Sequence, residues 1–590
     1  MIGCKMLRNL IVSSLLCFAA PAWAQEPADA PPNVVLILID DAALMDLGVY
    51  GGEARTPNID ALAARGAMFR QYRTSPLCAP TRAMLLTGLD NHRTGVATIP
   101  EVLPPAHRGK PGYTMSLEPG VLTLADRLGA MGYRTLMSGK WHLGEAAVEM
   151  PQSHGFDRSF ALAASGADNW DDKSYMPYYH DAPWYEDGVE TFLPDDFYSS
   201  EFIVDKMIDY LDETDPDSPF FAYLPFQAIH IPVQAPPEFI ANYDGVYDEG
   251  WDVLRAERHQ RAQALGLVPE GVPLAPMPDH ARAWTDLTDD EREVYAARME
   301  VNAGMLEAMD FHIGRFIEHL RSAGTYNDTI FVIASDNGPE PNRGDNDWRL
   351  RLWMILNGYN TTLEGLGAPG SWGFIGPEWA TAAASPGALF KFYATEGGIR
   401  SPLIISGPGV AAMQTDAPAM VTDIAPTLLD WVNAPPPQAE ARAMTGRSLL
   451  PVLTGEATSV YGPTDIRAIE VSGNTALYKG DYKITRSVRP VGDGEWKLFN
   501  MVRDPGETED LSVTESEKLA ELLSEYDAYA ADMGVLEMPE GYDSLEQIEE
   551  NTQARLQKRY GWILILIGLV FLGLLYGLYR GVRMLLRRLA

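Results

Sequence analysis

The chain has 590 residues, of which 46% are hydrophobic and 22% charged, the composition of a globular protein large enough for one or two domains. Its formal net charge of −35 argues against nucleic acid as a partner, because phosphate backbones require a basic surface. An anionic substrate would therefore need a locally basic pocket.

Residues 1–24 have the pattern of a signal peptide. Lys5 and Arg8 provide a positive start, residues 10–20 are apolar, and Ala22-Trp23-Ala24 is a small-x-small cleavage site. An uncleaved anchor is the alternative, which the shortness of the apolar run disfavours. The sequence therefore predicts export and removal of this segment.

The cysteine count points to a single special thiol. Of three cysteines, Cys4 and Cys17 leave with the predicted signal peptide, so the mature chain keeps Cys78 alone. One cysteine forms no internal disulfide. In an oxidising compartment a lone thiol is a liability unless it has a chemical task or has been converted.

Residues 25–464 are predicted to form a catalytic domain of the α/β class. The apolar run Asn33–Ile39 has the length of a strand and precedes Asp40-Asp41. A second run, Thr329–Ala334, precedes Ser335-Asp336-Asn337-Gly338. Helical stretches lie between the two runs, which predicts a mainly parallel sheet. Because ligands lie beyond the carboxyl ends of such strands, we expect the acidic clusters to meet.

These clusters have the chemistry of a metal site. Asp40, Asp41, Asp336 and Asn337 offer the hard oxygen ligands that calcium or magnesium prefers, whereas zinc favours histidine and cysteine. A single acidic pair at a strand end often only caps a helix. Two such clusters, each ending a buried strand, favour a metal.

Residues 465–535 have a different pattern, which predicts a second, smaller domain. Short strand patterns alternate with turns and are followed by one helix, as in a small antiparallel sheet. The predicted strands are Arg467–Val471, Thr475–Tyr478, Tyr482–Ser487 and Trp496–Asn500, and the predicted helix is Ser516–Met533.

The C-terminus has the pattern of a membrane anchor. Residues 536–559 are predicted to be a stalk, residues 560–579 a transmembrane helix without charge, and residues 580–590 a basic cytoplasmic tail. A buried soluble helix is the alternative, and the arginines of the tail disfavour it. The chain is thus expected to be exported and anchored in the cytoplasmic membrane, with its catalytic domain outside the cytoplasm, in the periplasm if the cell is Gram-negative.

The segment from Cys78 to Gly88, CAPTRAMLLTG, is the decisive motif. Pro80 suits the first turn of a helix, which places Cys78 just before the helix N-terminus, where the dipole favours negative charge. The pattern C-x-P-x-R followed by LTG resembles the sulfatase signature, in which an export-linked enzyme oxidises the cysteine to formylglycine.

Further motifs extend the resemblance over nearly the whole mature chain. They are GKWHLG (139–144), EGGIR (396–400), SDNG (335–338), DPGE (504–507), NHRTG (91–95) and GPEWA (376–380) with Lys391. The chain resembles the type I, formylglycine-dependent sulfatase family and its bacterial arylsulfatase subgroup. The resemblance implies an alkaline-phosphatase-like sulfatase fold, in which helices sandwich a large mixed, mainly parallel sheet, with a small C-terminal antiparallel sheet and one helix.

The resemblance also implies roles for individual residues. Asp40, Asp41, Asp336 and Asn337 match the ligands of one calcium ion per subunit, joined by an oxygen of the formylglycine made from Cys78. Arg82 and Lys140 match the cations beside formylglycine and sulfate, His142 the base that breaks down the hemiacetal, and His230 and Lys391 the groups that hold sulfate and assist the leaving oxygen. The family usually has proline before the histidine matched to His230, and this chain has Ile229.

Together these roles imply hydrolysis of sulfate esters, with aryl sulfates favoured. Besides the substrate and the membrane, the implied partner is a formylglycine-generating or sulfatase-maturating enzyme. Two alternatives stay open: a phosphonate or phosphate ester hydrolase of the same superfold, and an inactive membrane-tethered binding protein. Every residue assigned to the site lies between 40 and 391, so the predicted stalk is expected to separate the site from the membrane.

Overall fold

The computed structural model describes residues 31–213, 218–279, 281–344, 347–435 and 441–589. The predicted signal peptide, residues 1–24, lies outside the described residues. The strands are β1 (Asn33–Ile39), β2 (Ala67–Phe69), β3 (Tyr72–Arg73), β4 (Arg134–Lys140), β5 (Arg158–Leu162), β6 (Trp184–Glu186), β7 (Val189–Thr191), β8 (Phe220–Pro225), β9 (Thr329–Ser335), β10 (Leu403–Ser406), β11 (Met413–Thr415), β12 (Ala419–Met420), β13 (Ile466–Val471), β14 (Asn474–Lys479), β15 (Tyr482–Arg486) and β16 (Trp496–Asn500). The α-helices are α1 (Pro57–Ala63), α2 (Cys78–Thr87), α3 (Leu124–Gly129), α4 (Ser199–Asp212), α5 (Pro237–Ile240), α6 (Trp251–Ala264), α7 (Asp289–Ser322), α8 (Trp348–Leu356), α9 (Gly376–Ala383), α10 (Glu396–Ile399), α11 (Ile424–Trp431), α12 (Leu450–Leu453), α13 (Ser516–Met533) and α14 (Ser544–Leu589).

The main sheet has ten strands in the order β11-β2-β10-β9-β1-β8-β4-β5-β6-β7. The central strands β9, β1, β8, β4 and β5 are mutually parallel, while β10, β6 and β7 run antiparallel to their neighbours. β1 and β9 are buried along their whole length, which explains their unbroken apolar sequences. Helices α3 and α4 pack on β4, and α1 packs on β10. The predicted mixed, mainly parallel sheet covered by helices is confirmed.

The small C-terminal sheet is also confirmed. Strands β13, β14, β15 and β16 pair antiparallel in chain order. Helix α13 has the predicted bounds and buries Leu522 and Tyr526 against Leu477 and Leu498 of the sheet. Burial of these apolar side chains on one face of the sheet stabilises an element that a few strands alone would not hold.

A buried cluster of charges joins this small sheet to the catalytic domain. Lys483 Nζ lies 3.1 Å from Glu396 Oε1 and 2.6 Å from Glu507 Oε1, and Arg73 Nη2 lies 2.8 Å from Glu396 Oε2. Burial favours the neutral form of Glu396, but Arg73 and Lys483 outweigh it and hold the pKa of Glu396 well below its ordinary value. The EGGIR and DPGE motifs therefore serve assembly of the two regions.

A buried histidine makes a second connection between the same regions. His92 Nδ1 lies 3.1 Å from Asp90 Oδ1, and its Nε2 lies 2.7 Å from Glu470 Oε2 on β13. Burial acts to lower the pKa of His92, but hydrogen bonds with Asp90 and Glu470 outweigh burial and raise it to about 9. His92 is therefore charged at neutral pH and pairs with carboxylates from both regions.

The C-terminal helix is longer than the predicted anchor. α14 runs without a break from Ser544, and its part Gly568–Leu589 has 22 residues and a mean hydropathy of 1.5, long and apolar enough to cross a membrane. Before this part, Asn551 Nδ2 donates to the backbone oxygens of Glu101 at 2.8 Å and Leu103 at 3.0 Å. Part of the segment predicted to be a stalk therefore forms the start of this helix and is docked onto the catalytic domain, whereas Gly568–Leu589 is unburied.

Candidate active site

Two acidic clusters meet at the carboxyl ends of β1 and β9, as the sequence predicts. The two strands are parallel and paired to their last residues, so Asp40-Asp41 lies beside Asp336-Asn337. The backbone N–H of Asp41 donates to Asp336 Oδ1 at 3.2 Å. All four side chains are buried, and Asp41 has a φ of 67°, an uncommon value for a residue other than glycine. The strand ends therefore concentrate carboxylates in the interior.

Cys78 lies directly above these carboxylates. It is the first residue of α2, one position further into the helix than the sequence predicts, with Pro80 in the first turn. Its Sγ lies 3.4 Å from Asp40 Oδ1 and 3.9 Å from Asp41 Oδ1. Burial and the nearby Asp336 carboxylate raise the pKa of the Cys78 thiol well above its ordinary value, so the unmodified side chain stays neutral.

Three buried cations pair with the three carboxylates. Arg82 follows Cys78 by one turn of α2, and its Nη2 lies 2.7 Å from Asp336 Oδ2. Lys140 ends β4 and places Nζ 2.5 Å from Asp40 Oδ2, while Lys391 Nζ lies 2.7 Å from Asp41 Oδ1. The structure thus brings together cations that the sequence separates by more than 300 residues.

Glu340 is a member of the site that sequence reasoning missed. Its Oε2 lies 2.9 Å from Lys391 Nζ, and ligand atoms of Asp41, His230 and Glu340 all lie within 4.8 Å of one another. Burial raises the pKa of Asp41 to about 6, with Lys391 opposing the rise and Glu340 adding to it. The sequence feature that could have identified Glu340 is its position two residues after the SDNG motif.

His142 occupies the site as a neutral base. It follows β4 with a φ of 56°, is buried, and neither ring nitrogen has a hydrogen-bond partner among the described residues. Burial lowers the pKa of His142 well below its ordinary value, and the neighbouring cations Lys140 and Arg82 lower it further. An uncharged imidazole with a free lone pair can accept a proton at this place.

His230 lies in the site although the proline usual before it is replaced by Ile229. Its Nδ1 lies 2.6 Å from the backbone oxygen of Ile231, which assigns the proton to that nitrogen, and its Nε2 lies 3.8 Å from Asp41 Oδ2. Burial and the cations Lys140 and Lys391 lower the pKa of His230 well below its ordinary value. His230 is therefore a neutral group whose Nε2 faces the acidic cluster.

The charges and one orphaned oxygen of the site fit a divalent cation. Asn337 Nδ2 donates to Asp41 Oδ1 at 2.6 Å, while Asn337 Oδ1 is buried without a partner among the described residues. Four buried carboxylates face three buried cations, so the ionised cluster has one net negative charge. A hard divalent ion would take oxygen ligands of this kind and leave one net positive charge, which suits an anionic ester.

The cluster opens into a cavity of about 920 Å³. Cys78, His142, His230 and Lys391 line its polar end. Most of the remaining lining is apolar and comes from several distant segments, which include Ile99, Met176, Leu350, Trp353, Trp372, Val491 and Leu556. Charged side chains, among them Glu101, Arg343 and Asp347, also line the walls. A mainly apolar cavity with a smaller number of polar groups is typical of a small-molecule site.

Comparison with known proteins identifies the family. Residues 32–434 match the Sulfatase family model, so the chain belongs to the sulfatase family. An arylsulfatase of Klebsiella aerogenes is 35% identical over 475 residues, which cover 78% of this chain and 97% of that protein. An uncharacterised sulfatase of Schizosaccharomyces pombe is 35% identical over 545 residues, which cover 88% of this chain and 97% of that protein. The chain is therefore a sulfuric ester hydrolase.

Solved structures confirm the fold. The structure of Ps i-CgsB in complex with k-i-k-neocarrahexaose has a TM-score of 0.61 at 21% identity, with 90% of this chain and 99% of that chain covered. The structure of BT4656 with its substrate D-glucosamine-2-N,6-O-disulfate has a TM-score of 0.58 at 20% identity, with 85% and 98% covered. The predicted fold class is thus confirmed.

Proposed function

We propose that this sulfatase hydrolyses aryl sulfates through a formylglycine made from Cys78 and a bound calcium ion. The observation that carries the proposal is the pairing of four buried carboxylates with three buried cations around Cys78. The similarity to an arylsulfatase over 97% of its length supports the aryl group as leaving group. The saccharides bound in the solved structures are ligands of those proteins, and the proposal for this chain does not rest on them.

Asp40, Asp41, Asp336 and Asn337 are the residues that would hold calcium. Their oxygens converge at the ends of β1 and β9, and ligand atoms of the three aspartates and Cys78 lie within 4.8 Å of one another. Calcium at this position would offset negative charge on the sulfuryl oxygens, and hydrated formylglycine would supply the nucleophilic oxygen.

Conversion of Cys78 requires access to the unfolded chain. Cys78 is 3% exposed in the folded protein and lies between two aspartates. A maturation enzyme cannot reach a side chain buried in this way, so we place its action before the catalytic domain folds. The partner is accordingly a formylglycine-generating or sulfatase-maturating enzyme that binds the extended CAPTR segment.

The two histidines and Lys391 divide the proton transfers. His142 is neutral with an unpaired nitrogen in the same cavity as residue 78, so it accepts the proton from that residue's second oxygen as sulfate leaves. His230 has committed its Nδ1–H to Ile231 and has no proton on Nε2. Lys391 is charged, because Asp41 and Glu340 stabilise its ammonium, and it is therefore the donor to the leaving phenolate oxygen.

Anchoring in a membrane is part of the proposal. The charge-free run at residues 560–579 lies in α14 and precedes the arginines of the tail, and the apolar part Gly568–Leu589 of the same helix is unburied in the described structure. With the tail in the cytoplasm, the catalytic domain lies outside it. Protease added to spheroplasts should then digest the catalytic domain. If the catalytic domain is fully protected while an outer-facing control protein is digested, the proposed orientation is wrong.

Two measurements on residue 78 test the chemistry. Mass spectrometry of the peptide that contains residue 78, from protein made in the native host, should show formylglycine, and an unmodified cysteine would contradict the proposal. Cys78→Ala should abolish hydrolysis of 4-nitrophenyl sulfate, whereas Cys78→Ser should release at most one phenol per chain, because a serine ester has no second hydroxyl to expel sulfate. Wild-type turnover by either variant would refute the mechanism.

A further inference from the structure

The terminal helix α14 forms a wall of the active-site cavity. Seven of its residues line the cavity that also contains Cys78 and Lys391: Ser544, Leu545, Ile548, Glu549, Thr552, Gln553 and Leu556. Successive members of this set are one or three positions apart in alternation, which puts them on one face of the helix. A segment expected to lie apart from the catalytic centre is thus in contact with the space that receives the substrate.

Polar contacts outside the cavity hold this wall in place. Besides the bonds from Asn551 to residues 101 and 103, Arg555 lies over the Tyr178 ring at 3.9 Å and pairs with Glu145 at 3.3 Å. The Tyr542 hydroxyl donates to the backbone oxygen of Val102 at 2.8 Å. The contacts of Asn551 and Arg555 on the helix, and of Tyr542 before it, fix the rotation of α14 about its axis. They therefore determine which of its residues face the cavity.

Helix α8 forms the cavity wall next to α14 and also carries exposed apolar side chains on its outer side. Leu350 and Trp353 line the cavity, and Arg349 pairs with Glu549 of α14. The outward side of the same helix is also apolar, with large exposed side chains at Trp348, Leu352, Ile355 and Leu356. A short helix that is apolar on both sides is typical of contact with a lipid phase rather than with water.

One polar group in the α14 wall has no partner. Thr552 is 9% exposed and lines the cavity, and its hydroxyl makes no hydrogen bond with any described residue. A buried hydroxyl left unpaired costs free energy unless a ligand or water completes it. The wall therefore offers an unused hydrogen-bonding group next to the apolar side chains of Ile548 and Leu556.

The wall lies close to the start of the charge-free run. Leu556 is the last cavity residue of α14, and Tyr560 begins the run that lacks charged residues up to Tyr579. Four residues of α-helix span about 6 Å. A bilayer that holds this run would thus bring its surface to within one helical turn or so of the cavity wall.

We propose that the cavity takes amphiphilic sulfate esters from the bilayer surface, with the apolar part of the alcohol held between α8 and α14. The sulfate occupies the charged end at residue 78, and Ile548 and Leu556 select for a long or bulky apolar group. This inference rests on the proposed function, because it names the substrate class of the same site. It distinguishes the chain from a sulfatase for polar saccharide sulfates.

The test uses full-length protein carrying formylglycine, in phosphatidylcholine vesicles. The probes are 4-alkyl-2-nitrophenyl sulfates with chains from methyl to decyl, and glucosamine 6-sulfate as the polar comparison, all at measured free concentration. Each added methylene should raise kcat/KM by about two- to fourfold until the wall is covered. A flat series, or a higher kcat/KM for glucosamine 6-sulfate than for the decyl ester, would overturn the inference.

Variants in the wall separate selectivity from folding. Leu556→Ala and Ile548→Asp should reduce the decyl-to-methyl ratio of kcat/KM by at least fivefold, whereas the matched change Leu566→Ala, further along the same helix, should leave that ratio unchanged. Thr552→Val should lower kcat/KM for every ester, because its hydroxyl, unpaired among the described residues, lines the cavity that receives the substrate. If Leu556→Ala slows the methyl and decyl esters equally, the helix has only a structural role and the inference fails. Absence of hydrolysis of even the methyl ester would instead refute the proposed function.

Discussion

Replacing Asp336 with asparagine tests the metal and the buried charge balance together. Asp336 Oδ2 accepts from Arg82 Nη2 at 2.7 Å and Nε at 3.1 Å, and its other oxygen accepts from the backbone of Asp41. Asp336→Asn keeps the shape but removes one of three charged oxygen ligands. Calcium affinity depends on the number of charged ligands, so the variant should bind calcium weakly.

The structure sets the size of the effect. Removing one partner of a buried ion pair costs about 3–5 kcal/mol of folding stability. Asp40 Oδ1 remains 3.5 Å from Arg82 Nη2, which places the expected loss at the lower end, about 3 kcal/mol. Loss of a charge stabiliser in the site should lower kcat/KM for 4-nitrophenyl sulfate by about 100- to 1,000-fold.

Calcium-dependent melting separates the two effects. Calcium at about 100 times its Kd stabilises the folded protein by about 2.7 kcal/mol, so wild type should melt at a higher temperature with calcium than after chelation. Asp336→Asn should lose this shift at the same concentration. The control is Asp310→Asn, another buried aspartate that accepts from the backbone of Ile59 at 2.9 Å and lies outside the site. Stoichiometric calcium and normal turnover in Asp336→Asn, or zinc in elemental analysis of wild type, would refute the argument.

Three further changes are predicted for the assembly of the molecule. Lys483→Met should destabilise the protein by about 3–5 kcal/mol in chemical denaturation, because Glu507 loses its buried cation and Glu396 keeps only Arg73, and adding Glu507→Gln should cost less than the sum of the single changes. His92 has its pKa raised to about 9 from an unfolded value near 6.5, so its contribution, about 3 kcal/mol, is complete below pH 6.5 and lost as pH rises through 9; His92→Gln should flatten this slope in pH-dependent melting, and an unchanged slope would contradict it. A chain ending at Arg559 should be soluble and hydrolyse 4-nitrophenyl sulfate, whereas one ending at Asp543 lacks the α14 wall and should lose selectivity for long alkyl esters; equal selectivity would show that the wall is dispensable.

The sequence predicts that the two acidic clusters meet, because both follow the ends of apolar strands. Apolar runs define β1 and β9, and pairing of parallel strands then obliges Asp40 and Asp336 to meet. Lys140 and His142 are assigned to the site from the resemblance of the GKWHLG motif alone, and not from the predicted arrangement of the strands. Glu340 escapes both routes, since a carboxylate after a turn is ordinary in a sequence and becomes unusual only when burial beside Lys391 is known.

The α14 wall could not be predicted for a different physical reason. A helix rich in charges before a membrane segment has the composition of a solvated stalk, and residues 544–559 contain charged side chains on several sides. Its docking depends on Asn551, whose amide fits three backbone oxygens in the loop at residues 100–103. Such a contact joins residues about 450 apart, and no local periodicity encodes it.

The pairing of charges in the site implies that metal and sulfate are recognised together. Each carboxylate proposed to bind calcium also holds one cation proposed to bind sulfate: Asp40 with Lys140, Asp41 with Lys391, and Asp336 with Arg82. With the carboxylates engaged only by these cations, an incoming sulfate competes with fixed negative charge. A divalent ion that neutralises this charge would leave the same cations free to attract the ester. By thermodynamic linkage, bound calcium would then strengthen sulfate binding, and bound sulfate would strengthen calcium binding by the same factor. If the proposed calcium site is correct, one set of buried aspartates, brought together by two parallel strands, would control both binding events.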